Sequence, residues 1–153
     1  MLYTAIVARR GQYDLAGRDA EFVELTWQQR QKRRIRAVTD RGREVGILLP
    51  EGGLLQDGDL LGPGDPPLVV RAAPELVLVI WPRSREEMGR GAHQIGNRHI
   101  QAWITEEAIV VLDDSVLSQQ LQAAGVPYRR EVRPLAGSPV PPPAGGHHHH
   151  DDP

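Results

Sequence analysis

Short apolar runs punctuated by turn residues fill the first half of the chain. Residues 3–8, 21–26, 33–39 and 45–49 combine aliphatic and β-branched positions, bounded by breaks such as Asp40-Arg41-Gly42 and Pro50-Glu51-Gly52-Gly53. The pattern predicts short strands joined by turns. Leu54-Leu55 and Leu60-Leu61 flank Gln56-Asp57-Gly58-Asp59, and the Asp-Gly pair predicts a hairpin there. The run Gly62-Pro63-Gly64-Asp65-Pro66-Pro67 is dense in residues that stop regular structure and reads as leading into the connection between two halves.

Beyond it the periodicity changes. Leu76 to Trp81 is the longest unbroken apolar run, suited to a strand buried on both faces. Pro82 ends it, and Ser84-Arg85-Glu86-Glu87 matches the capping box that opens a helix. Met88, Ala92, Ile95 and His99 then recur at i, i+4, i+7 and i+11, one stripe of a helix. Gly96 and Asn97 both tolerate left-handed backbone, so the helix is expected to fray there and leave His99 at its end. Residues 101–105 and 108–112 are further strand candidates. Asp113 or Asp114 can cap a second helix, with Leu117, Leu121 and Ala124 on one face and Gly125 at its end. Residues 127–133 read as a last strand. The order β-α-β-β-α-β over 75–133 is the ferredoxin-like split βαβ pattern.

The fold class expected is therefore α+β. A small all-β domain covers 1–71, a ferredoxin-like domain covers 72–135, and a disordered Pro/Gly linker with a His-rich tail covers 136–153. The stretch 134–146 is too rich in Pro and Gly to pack a core and reads as an extended, polyproline-like spacer.

Composition narrows the function. With 40% hydrophobic and 25% charged residues the chain has the make-up of a soluble folded protein. Only three Trp, three Tyr and one Phe are present, so the core is aliphatic and small, and a partner subunit would help it. Twenty acidic residues face eighteen basic ones, and the surplus equals Asp151 and Asp152. The body is neutral, so no global charge steers it to nucleic acid or to a membrane. One basic cluster, Arg30, Lys32, Arg33, Arg34 and Arg36, could be a nucleic-acid patch. The favoured reading is a solvated strand face, because Lys32, Arg34 and Arg36 alternate with Ile35 and Ala37 and no aromatics are interleaved for stacking. The opening residues lack the form of a secretory signal, and no run approaches the ~20 residues needed to span a bilayer, so a cytoplasmic protein is expected.

Candidate chemistry lies in the histidines. His93 and His99 fall in Gly91-Ala92-His93-Gln94-Ile95-Gly96-Asn97-Arg98-His99, and the other four, His147, His148, His149 and His150, precede Asp151 and Asp152 near the chain end. With no cysteine there is no disulfide, thiolate site or Cys nucleophile. Imidazole and carboxylate donors remain, suited to zinc, copper or nickel. His99 alone cannot hold an ion. His93, the tail, or a second His99 across a two-fold axis could complete the site. His93 and His99 are six positions apart and share no helical face, so His93 reads first as an ordinary surface histidine. The competing explanation of the tail is an expression tag; a native one would collect ions by raising their local concentration. Because imidazole ligates only when neutral, uptake should weaken below pH ~6.5. A metal-dependent hydrolase finds no support: there is no H-E-x-x-H spacing and no Ser/His arrangement.

Taken together, Gly91 to Ile100 with its Gly96-Asn97-Arg98-His99 core, the stretch from Leu25 to Leu61, and the His-rich end resemble the UreE family of urease accessory proteins, nickel metallochaperones. The resemblance covers most of the chain. It implies a peptide-binding-like N-terminal domain and a ferredoxin-like domain that forms a homodimer, with Ni(II) held at the interface by His99 of both protomers. The tail histidines 147–150 would be further ligands, and Gly96, Asn97 and Arg98 would shape the turn. Zn(II) and Cu(II) would compete in vitro. Urease apoprotein and the other urease accessory proteins, including the GTPase, would be the partners. No auxiliary histidines precede the second helix, where Asp113 or Asp114 could offer at most a weak oxygen ligand. The alternative function is a peptide- or protein-binding adaptor in a maturation complex, with incidental metal binding.

Overall fold

The structure is a computed structural model and describes residues 1–140. The chain divides into two units. The first is Met1–Pro74 with Pro134–Gly137; the second is Glu75–Arg133 with, among the described residues, 138–140.

The first unit is built from β1 (Leu2–Tyr3), β2 (Ala5–Ala8), β3 (Glu21–Leu25), the short helix α1 (Trp27–Arg30), β4 (Arg34–Val38), β5 (Glu44–Leu48), β6 (Leu60–Gly62) and β7 (Leu68–Ala72). Two sheets form, in the orders β1-β5-β4 and β2-β6-β7-β3. Tyr3, Leu25, Ile47, Leu55, Leu61 and Leu68 lie fully buried in one aliphatic cluster. Alternation in β4 follows the expected solvated face: Ile35 is buried while Arg34 and Arg36 are exposed.

Three expectations for this unit need correction, and two of its elements had not been expected. Residues 3–8 make two strands rather than one: β1 runs parallel to β5 and β2 antiparallel to β6, so the chain changes sheets at Thr4. Asp57-Gly58 does turn, with the Asp59 N–H donating to the Gln56 carbonyl at 3.0 Å, but Leu54-Leu55 is not the partner strand. Leu55 donates instead to the Arg30 carbonyl at 3.0 Å and enters the core, and β6 pairs with β2 and β7. Gly62 to Pro67 joins β6 to β7 inside this unit rather than leading out of it, and β7, unforeseen, lies parallel to β3. Helix α1 was also unforeseen, although its signal is present. The Gln29 N–H donates to Thr26 Oγ1 at 3.2 Å, and the Gln29 side-chain oxygen accepts from the Thr26 N–H at 2.9 Å, a complete capping box.

Two of the three buried charges of this unit, Glu21 and Arg30, show how partners hold them, as burial requires. Glu21, 2% exposed, accepts from Thr39 Oγ1 at 2.5 Å and from Arg43 Nε at 2.8 Å. The Arg43 bond first, then that of Thr39, keeps its carboxyl below the usual range. Arg30, 1% exposed, sits apart from the solvated cations of its cluster. It donates to the Leu135 carbonyl at 2.7 Å and stacks on the Trp27 ring.

The second unit contains β8 (Pro74–Ile80), α2 (Arg85–Asn97), β9 (Trp103–Ile104), β10 (Ile109–Leu112), α3 (Ser115–Ala123) and β11 (Tyr128–Pro134). This is the expected βαββαβ order, in a sheet arranged β11-β8-β10-β9, with β10 antiparallel to both its neighbours. Leu78 and Ile80 from β8, Ile109 and Val111 from β10, Ile95 from α2, and Leu117 and Leu121 from α3 form its core. The stretch after β11 is less bare than a spacer. Leu135 is 2% exposed, and Val140 makes an antiparallel bridge to Ala102. Among the described residues no helix is long and apolar enough to cross a membrane.

Candidate metal centre

His99 owes its position to the way α2 begins, packs and ends. Pro82 lacks a backbone donor and stops β8, and Ser84 caps the helix by accepting from the Glu87 N–H at 3.1 Å. The capping box is half built. Glu87 accepts from the Arg83 N–H at 2.8 Å, one residue upstream of the cap, and pairs with the Arg83 guanidinium. Glu86 and Glu87 in the first turn suit the helix dipole.

The buried stripe of α2 is not the one the spacing suggested. Gly91 and Ile95 are buried and Met88 is half-buried, whereas Ala92 and His99 are exposed. A Cβ on Gly91 would meet Ile80 at 3.6 Å and Ile109 at 3.8 Å, ordinary contact distances. Gly91→Ala is therefore expected to stabilise the fold by about 1 kcal/mol, the helix-propensity difference, because nothing has to move to admit the methyl. Urea unfolding checks this: an unchanged or lower midpoint would mean that the sheet does not tolerate the added carbon.

The helix stays regular through Gly96 and Asn97, contrary to the expected fraying, and the left-handed residue is His99 itself, at φ 54°. Its N–H donates to the Gly96 carbonyl at 3.0 Å and closes the last turn. This is the position after a helix cap that glycine usually takes. An imidazole there is exposed to solvent and carries a backbone cost of roughly 1–2 kcal/mol.

Arg98 turns the other way. Its Nη2 donates to Asp114 Oδ2 at 2.9 Å, while Asp114 Oδ1 accepts from the Leu117 N–H at 2.8 Å. One carboxylate thus ties the end of α2 to the start of α3, and of the two candidate caps Asp114 is the one used. Burial opposes ionisation of Asp114, but the Arg98 guanidinium and the Leu117 N–H outweigh it and hold its carboxyl below the ordinary 3.8. A lowered folded value means that the stabilisation is fully present above about 3.8 and is lost as pH falls through the folded value. Arg98→Met should lower the urea midpoint near neutrality, by less than about 1 kcal/mol because the guanidinium is partly solvated, and should make no difference well below that range. Asp113 is likewise engaged, accepting from Arg130 Nε at 3.0 Å.

His93 is exposed on α2, with the Asn97 amide nitrogen 3.4 Å from its Nε2. Among the described residues no three His, Asp or Glu side chains converge on a point where an ion could sit. His147, His148, His149 and His150 lie outside the described residues. The capped turn, the left-handed His99 and the Arg98–Asp114 tie were the features that spacing alone did not reveal. Only the Gly-Asn-Arg-His string pointed toward them.

Comparison with known proteins agrees with this arrangement along the chain. The N-terminal domain of the UreE urease accessory protein matches residues 4–73, and its C-terminal domain matches 75–153. A urease accessory protein UreE of Geobacillus kaustophilus (strain HTA426) is 48% identical over 103 residues, covering 67% of this chain and 70% of the relative. Another, from Staphylococcus aureus (strain MRSA252), is 46% identical over 103 residues, covering 67% and 69%. With two consecutive domains matched and identity near one half over two thirds of each partner, the chain belongs to the UreE family of urease accessory proteins.

Proposed function

We propose that this chain is a non-enzymatic metallochaperone of urease maturation, which carries Ni(II) as cargo and releases it during assembly of the urease active site. The observation that carries this reading is His99, an exposed imidazole kept at a left-handed position where glycine would relieve the backbone. One imidazole binds nickel weakly. Since no cluster forms among the described residues, the missing ligands come from a second copy and from the tail. In the homodimer, His99 of both protomers meets at the two-fold axis of the ferredoxin-like unit, and His147, His148, His149 and His150 add ligands. A few imidazoles open to water suit a carrier, because they bind nickel and still exchange it. Zn(II) and Cu(II) compete in vitro, and since copper leads in intrinsic affinity, cellular supply decides the cargo. The partners are urease apoprotein and the other urease accessory proteins, the GTPase among them, in the cytoplasm; neither nucleic acid nor a membrane is involved.

Calorimetric nickel titration with parallel mass determination tests this on the full chain and on a chain lacking residues 147–152. The expected result is a dimer with one shared site per dimer in both, held more weakly and with fewer ions bound in total by the truncated chain. A monomer that takes up no nickel would overturn the proposal.

A further inference from the structure

His99 stands at a corner that its own bonds hold poorly. The left-handed backbone is disfavoured for any residue with a Cβ. The bond that closes it, from the His99 N–H to the Gly96 carbonyl at 3.0 Å, belongs to the last turn of α2, where a helix frays most easily. One turn earlier Ile95 is buried, and Ile100 packs on the same core just after.

Between these anchors, Arg98 reaches another element. Its Nη2 bond to Asp114 Oδ2, 2.9 Å long, fixes the residue directly before His99 to the start of α3. Arg98 Nε is buried without a partner, so the Asp114 bond is the polar contact that anchors this side chain. Asp114 is itself fixed: its Oδ1 accepts from the Leu117 N–H at 2.8 Å, and Leu117 is fully buried. A continuous path therefore runs from the core through Leu117, Asp114 and Arg98 to His99.

We propose that Asp114, acting through Arg98, is a positioning residue of the nickel site. This rests on the reading of His99 as the ligand and adds to it a residue on a different helix. With the tie in place the corner keeps one backbone conformation, and each imidazole of a dimer starts aimed at the shared ion. With the tie broken, each protomer holds the corner for only part of the time. The shared site needs both copies, so its affinity falls with the square of that fraction, and a drop to roughly one third in each protomer costs about tenfold. A ligand role for Asp114 fits less well, because both its oxygens are engaged, one by the Leu117 N–H and one by the Arg98 guanidinium.

Asp114→Asn is the isosteric probe. Asparagine caps a helix as well as aspartate does, so its single oxygen keeps the Leu117 bond while its amide turns an N–H toward Arg98 and breaks the tie. Nickel titration of the full chain, read by calorimetry and by the ligand-field absorption of the bound ion, should show shared-site affinity reduced by about 10- to 100-fold. The absorption spectrum should be unchanged and the urea midpoint close to the parent's. Asp114→Ser, which also caps, should behave in the same way and guards against a local fault in the Asn variant.

Arg98→Met should lose about as much affinity, Arg98→Lys should lose less, and Arg98→Met/Asp114→Asn should lose no more than either single change, since all break one contact. A purely electrostatic effect has opposite signs in the two single variants, because removing a carboxylate weakens cation binding and removing a guanidinium strengthens it. Unchanged affinity in both Asp114 variants, tighter binding by Arg98→Met, an additive double variant, or a shifted spectrum in Asp114→Asn would each overturn the proposal. His99→Ala sorts the failures. A shared site that survives that substitution refutes the ligand reading itself, whereas a site lost in His99→Ala and intact in Asp114→Asn refutes only the positioning role.

Discussion

A chain carrying His99→Gly is expected to lose the tight nickel site and, at the same time, to withstand more denaturant than the parent. The two effects have separate causes in one residue. The imidazole is the ligand the carrier reading rests on, and its removal from both protomers should lower affinity at the shared site by well over about 100-fold, more than the loss of an outer-shell partner costs. The backbone at φ 54° disfavours any Cβ by roughly 1–2 kcal/mol, and glycine recovers that less its own greater chain entropy, a net gain of about 0.5–1 kcal/mol. His99→Ala separates them: it should lose nickel equally and gain no stability. If His99→Gly binds nickel as tightly as the parent, His99 is not the ligand. If it is less stable, the imidazole has a packing role that its exposure does not suggest.

The largest expected loss of stability comes from Arg30→Ala. Arg30 is 1% exposed, donates to the Leu135 carbonyl at 2.7 Å and lies 5.5 Å from the centre of the Trp27 ring. Truncation leaves a buried carbonyl without its donor, a void beside Trp27 and an altered charge balance. Together these amount to about 3–5 kcal/mol, a large fraction of the stability of a small unit. Arg30→Lys should fall between the two, since an ammonium keeps the charge but neither stacks nor reaches as a planar fork. Urea unfolding followed by Trp fluorescence reads both variants. A loss under about 1 kcal/mol for Arg30→Ala would show that the Leu135 segment detaches at little cost.

Legibility followed the range of the forces involved. The apolar run of β8, the stop at Pro82, the Ser84 cap, the Asp cap of α3 and its Leu117/Leu121 face could all be read from the chain, because each is set by neighbours within a turn or by simple alternation. The Thr26/Gln29 box of α1 was equally local and could have been read. Strand β7 was hidden by the Pro and Gly residues before it, which mark a bend without saying where the chain goes next. The break at Thr4 and the exclusion of Leu54-Leu55 from any hairpin had no local signal, because sheet membership is decided by partners tens of residues away.

The candidate site divides the same way. From the sequence alone came the α+β class, the βαββαβ order, the absence of thiolates and the family resemblance carried by Gly96-Asn97-Arg98-His99; these rest on residue type and short spacing. Tertiary structure decided the rest: that His99 and not Gly96 or Asn97 takes the left-handed position, that Arg98 reaches across to Asp114, and that of five clustered cations Arg30 alone is buried. The reason is physical. A side chain's charge and propensity travel with it, but its burial and its bonding partners exist only once distant segments have packed around it.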